Sequence, residues 1–325
     1  MQRREFLVGL GSALAWPPAA RAQDRIRRVG ILMNFAADDA VAQARHSKIL
    51  ETLGALGWTQ GRNIHVETRW AEGDADRTRR GIAELLAMSP DVILGTTTPA
   101  VIALKRASKI VPIVFVSVVD PIGSGLAASM SRPAGNATGF VTFEYALAAK
   151  WLELLKEIAP QVNRAAVIRD SAVATGIGLF AAVQAVGRLD VELSVIDVGD
   201  PMQMEQDINA FAKAPNSGMI VTPSQFAGNH SAAITASATR NKLPTVYPFR
   251  YFVDAGGLIS YGPTLYDEYV GAATYIDRIL RGEKPADLPV QSPTKYELAI
   301  NTRTAKALGL VLPPTLLARA DEVIE

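Results

Sequence analysis

The sequence predicts an α/β protein of two doubly wound lobes, each built on a parallel sheet, and three observations carry that prediction. Strand-length apolar runs alternate with helix-period segments along the chain. Several of those runs are continuously apolar, as in Ile113-Val114-Phe115-Val116, which is how a strand covered by helices on both faces reads. The alternation breaks over Ser131–Phe143, at Arg-Pro-Ala-Gly-Asn-Ala-Thr-Gly, and then starts afresh, as it would where the chain leaves one lobe for another.

In chain order, the first segment belongs to neither lobe. Arg3-Arg4-Glu5-Phe6-Leu7, an apolar stretch from Leu7 to Trp16, and Ala20-Arg21-Ala22 follow the order of a twin-arginine export signal with an Ala-x-Ala cleavage site. Spanning a bilayer takes roughly 20 apolar residues, and this stretch has fewer, so residues 1–22 are expected to be removed. The mature protein is then expected to be free in the periplasm, with no lipid anchor, since there is no cysteine to carry one.

Four strands are predicted next, at Arg28–Met33, Asn63–Trp70, Asp91–Gly95 and Val111–Val118. Between them lie a helix with the stripe Ile49, Leu50, Leu53 and Leu56, closed by Gly57, and a second with Ile82, Leu85 and Leu86. After the break, Trp151, Leu152, Leu155 and Ile158 line a helix stopped by Pro160. Strands follow at Ala165–Arg169, Leu193–Val198, Gly218–Val221, Thr245–Phe249 and Leu258–Tyr261. A second crossing is expected near Gly256–Pro263, before a helix lined by Tyr269, Ala272, Ala273, Ile276, Ile279 and Leu280 and closed by Gly282. The expected lobes are 24–141 plus 263–290 and 142–262, with 291–325 assigned to neither.

Composition narrows function. Removing Arg3, Arg4, Arg21 and Glu5 with the signal leaves 30 Lys+Arg against 31 Asp+Glu, a formal charge of −1. Without a basic excess, nucleic acid is not an expected partner. The absence of cysteine excludes disulfides, thiolate metal sites and a thiol nucleophile. His46, His65 and His230 lack ligand spacing, so no metal site is expected.

The candidate binding residues gather at strand ends, where ligands of doubly wound sheets collect. Asn34 and Phe35 follow the first strand, where a dinucleotide-binding protein would carry its glycine fingerprint, so no nucleotide cofactor is expected. Thr96-Thr97-Thr98-Pro99 follows the third strand, with Thr98 placed to cap a helix and Pro99 in its first turn. Three hydroxyls at a helix N-terminus, joined by Ser117 from the next strand end, form a candidate anion pocket. Asp120 faces the same crevice in this reading. In the second half, Asp170 and Ser171, Thr222 and Ser224, and the aromatics Tyr247 and Phe249 follow strands in the same manner. Gly123-Ser124-Gly125 lacks the spacing of a nucleophile elbow, and no acid/base pair is evident, so no catalytic residue is expected.

Several segments together resemble the ABC-transporter substrate-binding proteins of the type I periplasmic fold, in the group with tryptophan- and tyrosine-binding members. They are Leu56-Gly57-Trp58-Thr59-Gln60-Gly61-Arg62-Asn63-Ile64, Asp120-Pro121-Ile122-Gly123-Ser124-Gly125-Leu126, Arg132-Pro133-Ala134-Gly135-Asn136-Ala137-Thr138-Gly139, Gly256-Gly257-Leu258-Ile259-Ser260-Tyr261-Gly262-Pro263 and Ile279-Leu280-Arg281-Gly282-Glu283-Lys284-Pro285. The resemblance implies two Rossmann-like lobes joined by a multi-strand hinge and closing on a small polar or amino-acid-like ligand. It implies a monomer that delivers its ligand to an ABC permease in the inner membrane. By the same resemblance Asp254, before the second crossing, is the leading partner for a ligand ammonium, with Asp120 the alternative. A ligand-sensing partner of a membrane receptor would use the same fold and signal, and an exported α/β enzyme is the remaining alternative.

Overall fold

The structure, a computed structural model, describes residues 25–170, 174–185, 190–264 and 266–325. The expected export signal and Ser171 lie outside the described residues. The chain opens with β1 (Arg27–Met33), α1 (Ala40–Ala55), β2 (Ile64–Trp70), α2 (Ala75–Ala87), β3 (Val92–Thr96), α3 (Thr98–Ala107), β4 (Ile113–Val119) and β5 (Ala137–Phe143). It continues with α4 (Leu147–Ile158), β6 (Arg164–Arg169), α5 (Ala174–Ala185), β7 (Glu192–Asp197), α6 (Pro201–Phe211), β8 (Ser217–Val221), α7 (Gln225–Asn229) and α8 (Ser231–Arg240). The last part holds β9 (Thr245–Tyr247), α9 (Arg250–Asp254), β10 (Ile259–Pro263), α10 (Asp267–Leu280), β11 (Tyr296–Asn301), α11 (Thr302–Ala307), α12 (Pro314–Leu317) and β12 (Glu322–Ile324).

Two sheets result. The smaller has the order β2-β1-β3-β4-β5 and is parallel throughout; the larger has the order β12-β11-β10-β9-β8-β6-β7. One pair departs from the expected parallel pattern, because β11 runs antiparallel to β10. The doubly wound α/β class holds. In the smaller sheet the pleat sends alternate residues to opposite faces. Val29, Ile31 and Met33 pack with α1 and α10, while Leu32 packs with α2 and α3.

The break at Ser131–Phe143 is only partly a crossing. Its second half is β5, the edge strand of the smaller sheet, and the chain leaves that sheet only after Phe143. The β4–β5 register slips after Phe115. There Gly139 brings its backbone so close that a Cβ would lie 2.1 Å from the Phe115 carbonyl oxygen. The chain returns from β10 to α10, which packs on β3, β4, β5 and α1. It then pairs Gln291 with the edge of β5, where Val141 N donates to Gln291 O at 2.9 Å, and crosses a third time into β11. Residues 296–324 thereby extend the larger sheet. Three connections thus join the lobes, and at one of them Gly262 lets β10 pass the end of β9: a Cβ there would lie 1.8 Å from Pro248 O.

The helices form for the reasons the sequence offers. Asp39 and Asp74 cap α1 and α2 by accepting from Ala42 N and Arg77 N. Gly57, at φ +94°, ends α1 as expected. The α4 stripe is fully apolar, and Trp151, wholly buried, donates from Nε1 to Tyr261 O at 2.7 Å, which ties α4 to β10. Leu50 departs from its expected stripe; it is exposed, while Arg45 takes a place among the buried residues Ala42, Ile49 and Leu53.

Candidate functional site

Across the crevice between the lobes, the carboxyl end of β1 meets that of β8 through Asn34 and Gln225, and the end of β5 meets that of β9 through Phe143 and Phe249. Asn34 organises the first side. Its backbone N donates to Thr96 Oγ1 at 2.7 Å and its Nδ2 to Thr97 Oγ1 at 2.9 Å, while its Oδ1 accepts from Gly73 N at 3.2 Å. Its carbonyl oxygen accepts from Gln225 Nε2 of the other lobe at 2.8 Å. This hydrogen bond spans the crevice, and Gln225 also packs against Gly73.

The expected threonine pocket is modified by what the hydroxyls already do. Thr96 is fully buried and uses both roles of its hydroxyl, accepting from Asn34 and donating to Leu32 O. The helix cap is Thr97, not Thr98; Thr97 adopts φ +68°, makes no side-chain cap bond, and Thr98 opens α3. Thr98 Oγ1 accepts from Val119 N at 3.2 Å. Thr97 and Thr98 therefore each keep a hydroxyl proton to donate, whereas Thr96 is a structural tie.

Ser117 is drawn into a different cluster. At φ +54° it turns both its N and its Oγ onto Glu268, at 2.9 and 3.0 Å, and its Oγ lies 2.8 Å from the Tyr269 hydroxyl. Thr142 Oγ1 donates to the same carboxylate at 2.9 Å. Burial pushes the Glu268 carboxyl up, opposed by the nearby Arg45 charge and by these three donors. Tyr269 is pushed up to about 12 by burial, so its hydroxyl stays protonated. Arg45 lies 5.4 Å from the Phe35 ring centroid and 5.5 Å from that of Tyr269. Burial works against its charge, but Tyr269, Glu268, Tyr251 and Asp39 together raise its pKa, so the guanidinium remains ionised. Tyr251 belongs to the larger lobe, so this cluster also sits where the lobes meet.

The remaining expected residues divide. Asp120, at φ +50°, caps its own turn by accepting from Gly123 N at 2.8 Å. Its charge, after burial, raises the pKa of Tyr145 on the far side of the first crossing. Asp170 follows β6, next to Arg169, which pairs with Asp197 at 2.7 Å. Thr222 is wholly buried and donates to Ile168 O at 2.8 Å, a tie within the larger sheet, and Ser224 caps α7 by accepting from Ala227 N. Tyr247 is core, 1% exposed and stacked on Phe252 at 5.0 Å, because α9 folds back over it. Phe249 packs on Phe143 and Tyr251. Asp254, the expected ammonium partner, ends α9. Its side chain is half exposed and is engaged by Arg250 at 3.5 Å, because the two residues stand four apart on α9.

Beside this crevice lies a cavity of ≈ 380 Å³, between the crossing segments and α10. Arg45, Thr142, Glu268, Phe249, Tyr275 and Gln291 are among its lining residues. Arg45, Glu268 and Gln225 were not among the expected site residues. Arg45 had a signal, a charge standing three and four residues from Ala42 and Ile49 on an otherwise apolar stripe. Glu268 had none, since its partners Ser117 and Thr142 are more than a hundred residues away. Among the described residues there is no cluster of three or more His, Cys, Asp or Glu side chains that would hold a metal.

The sequence profile of the ABC transporter substrate binding proteins matches residues 29–324. A tyrosine-binding protein of Clostridioides difficile is 25% identical over 268 residues, which cover 80% of this chain and 75% of that protein. Among solved structures, a conserved domain protein from Vibrio cholerae superposes with a TM-score of 0.85 at 25% identity, over 92% of this chain and 100% of that one. An ABC domain from Streptococcus pneumonia in complex with L-Trp superposes with a TM-score of 0.84 at 23% identity, over 92% and 99%.

Proposed function

Because the chain belongs to the ABC transporter substrate-binding protein family, we propose that it is the periplasmic component of an importer, closing its two lobes on a small amino-acid-like solute. The family supplies the general role: a small-molecule ligand and an ABC permease as partner. The observation that carries the finer reading is the meeting of polar strand ends from two sheets, bridged by Gln225 and Asn34 at 2.8 Å. A two-lobed protein closes when its ligand makes contacts that only the closed arrangement offers. Asn34, Phe35, Thr97, Thr98, Asp120 and Phe249 are the residues from which those contacts would come. The names of the tyrosine-binding relative and of the L-Trp complex favour an amino acid as the ligand class.

The same reading places the mature protein outside the inner membrane, exported through its twin-arginine signal and acting as a monomer. Among the described residues no helix is long and apolar enough to cross a membrane, which is compatible with that place. In this reading the smaller lobe is 25–143 plus 266–291, and the larger is 144–263 with 292–325 joining it. Native mass spectrometry of the protein purified from its own periplasm tests the function, because tight ligands co-purify. A retained small solute that rebinds in calorimetry is the expected result. Turnover of that solute into a product would overturn the assignment in favour of an exported enzyme.

A further inference from the structure

The amino ends of the strands in the smaller sheet form a pole at the end of that lobe away from the crevice, and its charge is lopsided. The strands are parallel, so the segments that open them or lead into them share one edge. These are 25–28, 56–63, 88–91, 108–112 and 131–136, joined by 281–287 where α10 ends. Together they hold eight Lys and Arg against three Asp and Glu, a net charge of +5. With −1 for the chain expected after cleavage, everything else carries −6. The segments that leave the opposite ends of β1, β2, β4 and β5, at 34–39, 71–74, 120–126 and 144–146, hold six acids and no Lys or Arg. The lobe is thus basic at one end and acidic at the rim of the crevice.

Helix ends do not account for the basic pole. Cations after a helix C-terminus offset its dipole, but Arg25, Arg27 and Arg28 precede the first helix. Two of the pole's three acids are already engaged: Asp91 pairs with Arg25 and Arg27 at 3.8 and 3.1 Å, and Glu283 with Arg278 at 2.6 Å. Lys109 and Lys284 are in no ion pair among the described residues, and with Arg27 and Ile110 they line one groove. Large apolar side chains stand among these cations, Ile110 being 88% exposed and Ile26 43%. Trp58 is half-buried at the same pole, its ring centroid 5.8 Å from Arg281 Cζ. Solvated cations around exposed apolar and indole groups suit an anionic bilayer surface, where the charges meet headgroups and the apolar tips enter the interface.

We propose that this pole docks reversibly on an anionic phospholipid membrane, through Lys109 and Lys284, with Ile26 and Ile110 entering the headgroup layer. The position of the expected export signal agrees with this. Cleavage after Ala22 leaves two residues before Arg25, about 7 Å of extended chain, so the pole is the part of the fold closest to the membrane at release. The acidic rim faces away, because the same lipids repel it. Docked this way, the protein holds its crevice toward the surrounding solution, where solute enters. It must leave the lipid before the crevice can meet a permease.

Co-sedimentation of the signal-free chain with vesicles tests the proposal. Vesicles of phosphatidylglycerol and phosphatidylethanolamine should retain it at about 50 mM salt and release it at about 0.3 M, and phosphatidylcholine vesicles should not retain it. Lys109→Gln and Lys284→Gln should each weaken retention about fivefold, and Ile110→Ser should weaken it at unchanged charge. Lys213→Gln and Lys306→Gln remove the same charge from exposed sites of the larger lobe and should change nothing. The melting temperature of each variant reports folding separately. An environment-sensitive dye on Ile110→Cys should shift to the blue on the anionic vesicles, and the same dye on Asp38→Cys, at the crevice rim, should not. No retention, equal retention on both kinds of vesicle, or retention unchanged in Lys109→Gln and Lys284→Gln overturns the assignment, as does an equal loss in the larger-lobe controls. A pole needed on native membranes but not on lipid vesicles belongs to a membrane-protein partner, which overturns it too. None of these outcomes bears on the solute-binding reading, which the co-purification test decides separately.

Discussion

Gln225→Ala should shift the balance between open and closed lobes even without ligand. The Gln225–Asn34 bond joins a side-chain amide to a backbone carbonyl across the crevice, at 2.8 Å. A neutral bond of that kind contributes about 0.5–1.5 kcal/mol net, because water replaces it in the open form. Removing it should lower the closed-to-open ratio about two- to tenfold. For a ligand held only by the closed form, affinity should fall by the same factor. Gln225→Glu sharpens the test: it keeps the length but sets an acceptor against the Asn34 carbonyl oxygen, so closure should weaken further than in the alanine variant. The chain has no cysteine, so Glu51→Cys on α1 and Gln206→Cys on α6 give a clean pair of labels on exposed positions of opposite lobes. Energy transfer between them reads the lobe spacing. The order wild type, alanine, glutamate in decreasing closure is expected. Unchanged transfer in both variants, or a glutamate variant more closed than wild type, would refute the idea that this contact holds the lobes together.

Three further outcomes are expected. N-terminal sequencing of exported protein should find Gln23 as the first residue; a start at Met1 would remove the signal from the account. Asp254→Asn should leave ligand affinity unchanged and alter stability by less than about 1 kcal/mol, because its ion pair with Arg250 is exposed; calorimetry showing a large affinity loss would return it to the site. His46 is half buried, 2.9 Å from Thr68 Oγ1 and tilted against Trp70, and burial holds its pKa below 6.5. Its contribution is therefore present above about pH 6.5 and is lost as pH falls through the lower folded value. His46→Gln should melt with a smaller decline between pH 7.5 and 5 than wild type, and parallel declines would count against that assignment.

The strands with continuous apolar runs were legible because burial on both faces leaves no other composition for them. The strand β5 was not, since Ala137-Thr138-Gly139 follows a turn sequence and its glycine serves a close approach visible only in three dimensions. Neither β11 nor β12 was read: β12 has only three residues, and β11 pairs antiparallel with a strand from before α10. Strand-end residues were found by position, but their roles depended on neighbours. Thr96 and Thr222 are spent on ties within their sheets, and Tyr247 is walled in by α9. Arg45 and Glu268 stayed hidden for a related reason: each takes its meaning from partners supplied by distant parts of the chain.

The route of the chain also sets an order of assembly. The smaller sheet is complete at Phe143, yet the face bearing Val29, Ile31, Met33, Val92, Leu94, Val114 and Val116 is covered in part by α10, which begins at Asp267. Everything from α4 to β10 is synthesised in between. A chain growing from its N-terminus thus carries a nearly finished sheet with a bare apolar flank until the larger lobe has been made, a long-range closure of the kind that slows folding and invites aggregation. A chain stopped before Asp267 would lose the cover of its first lobe as well as the end of its second. The two lobes are separate in space but not in birth, and cutting this protein at its visible waist yields no independent half.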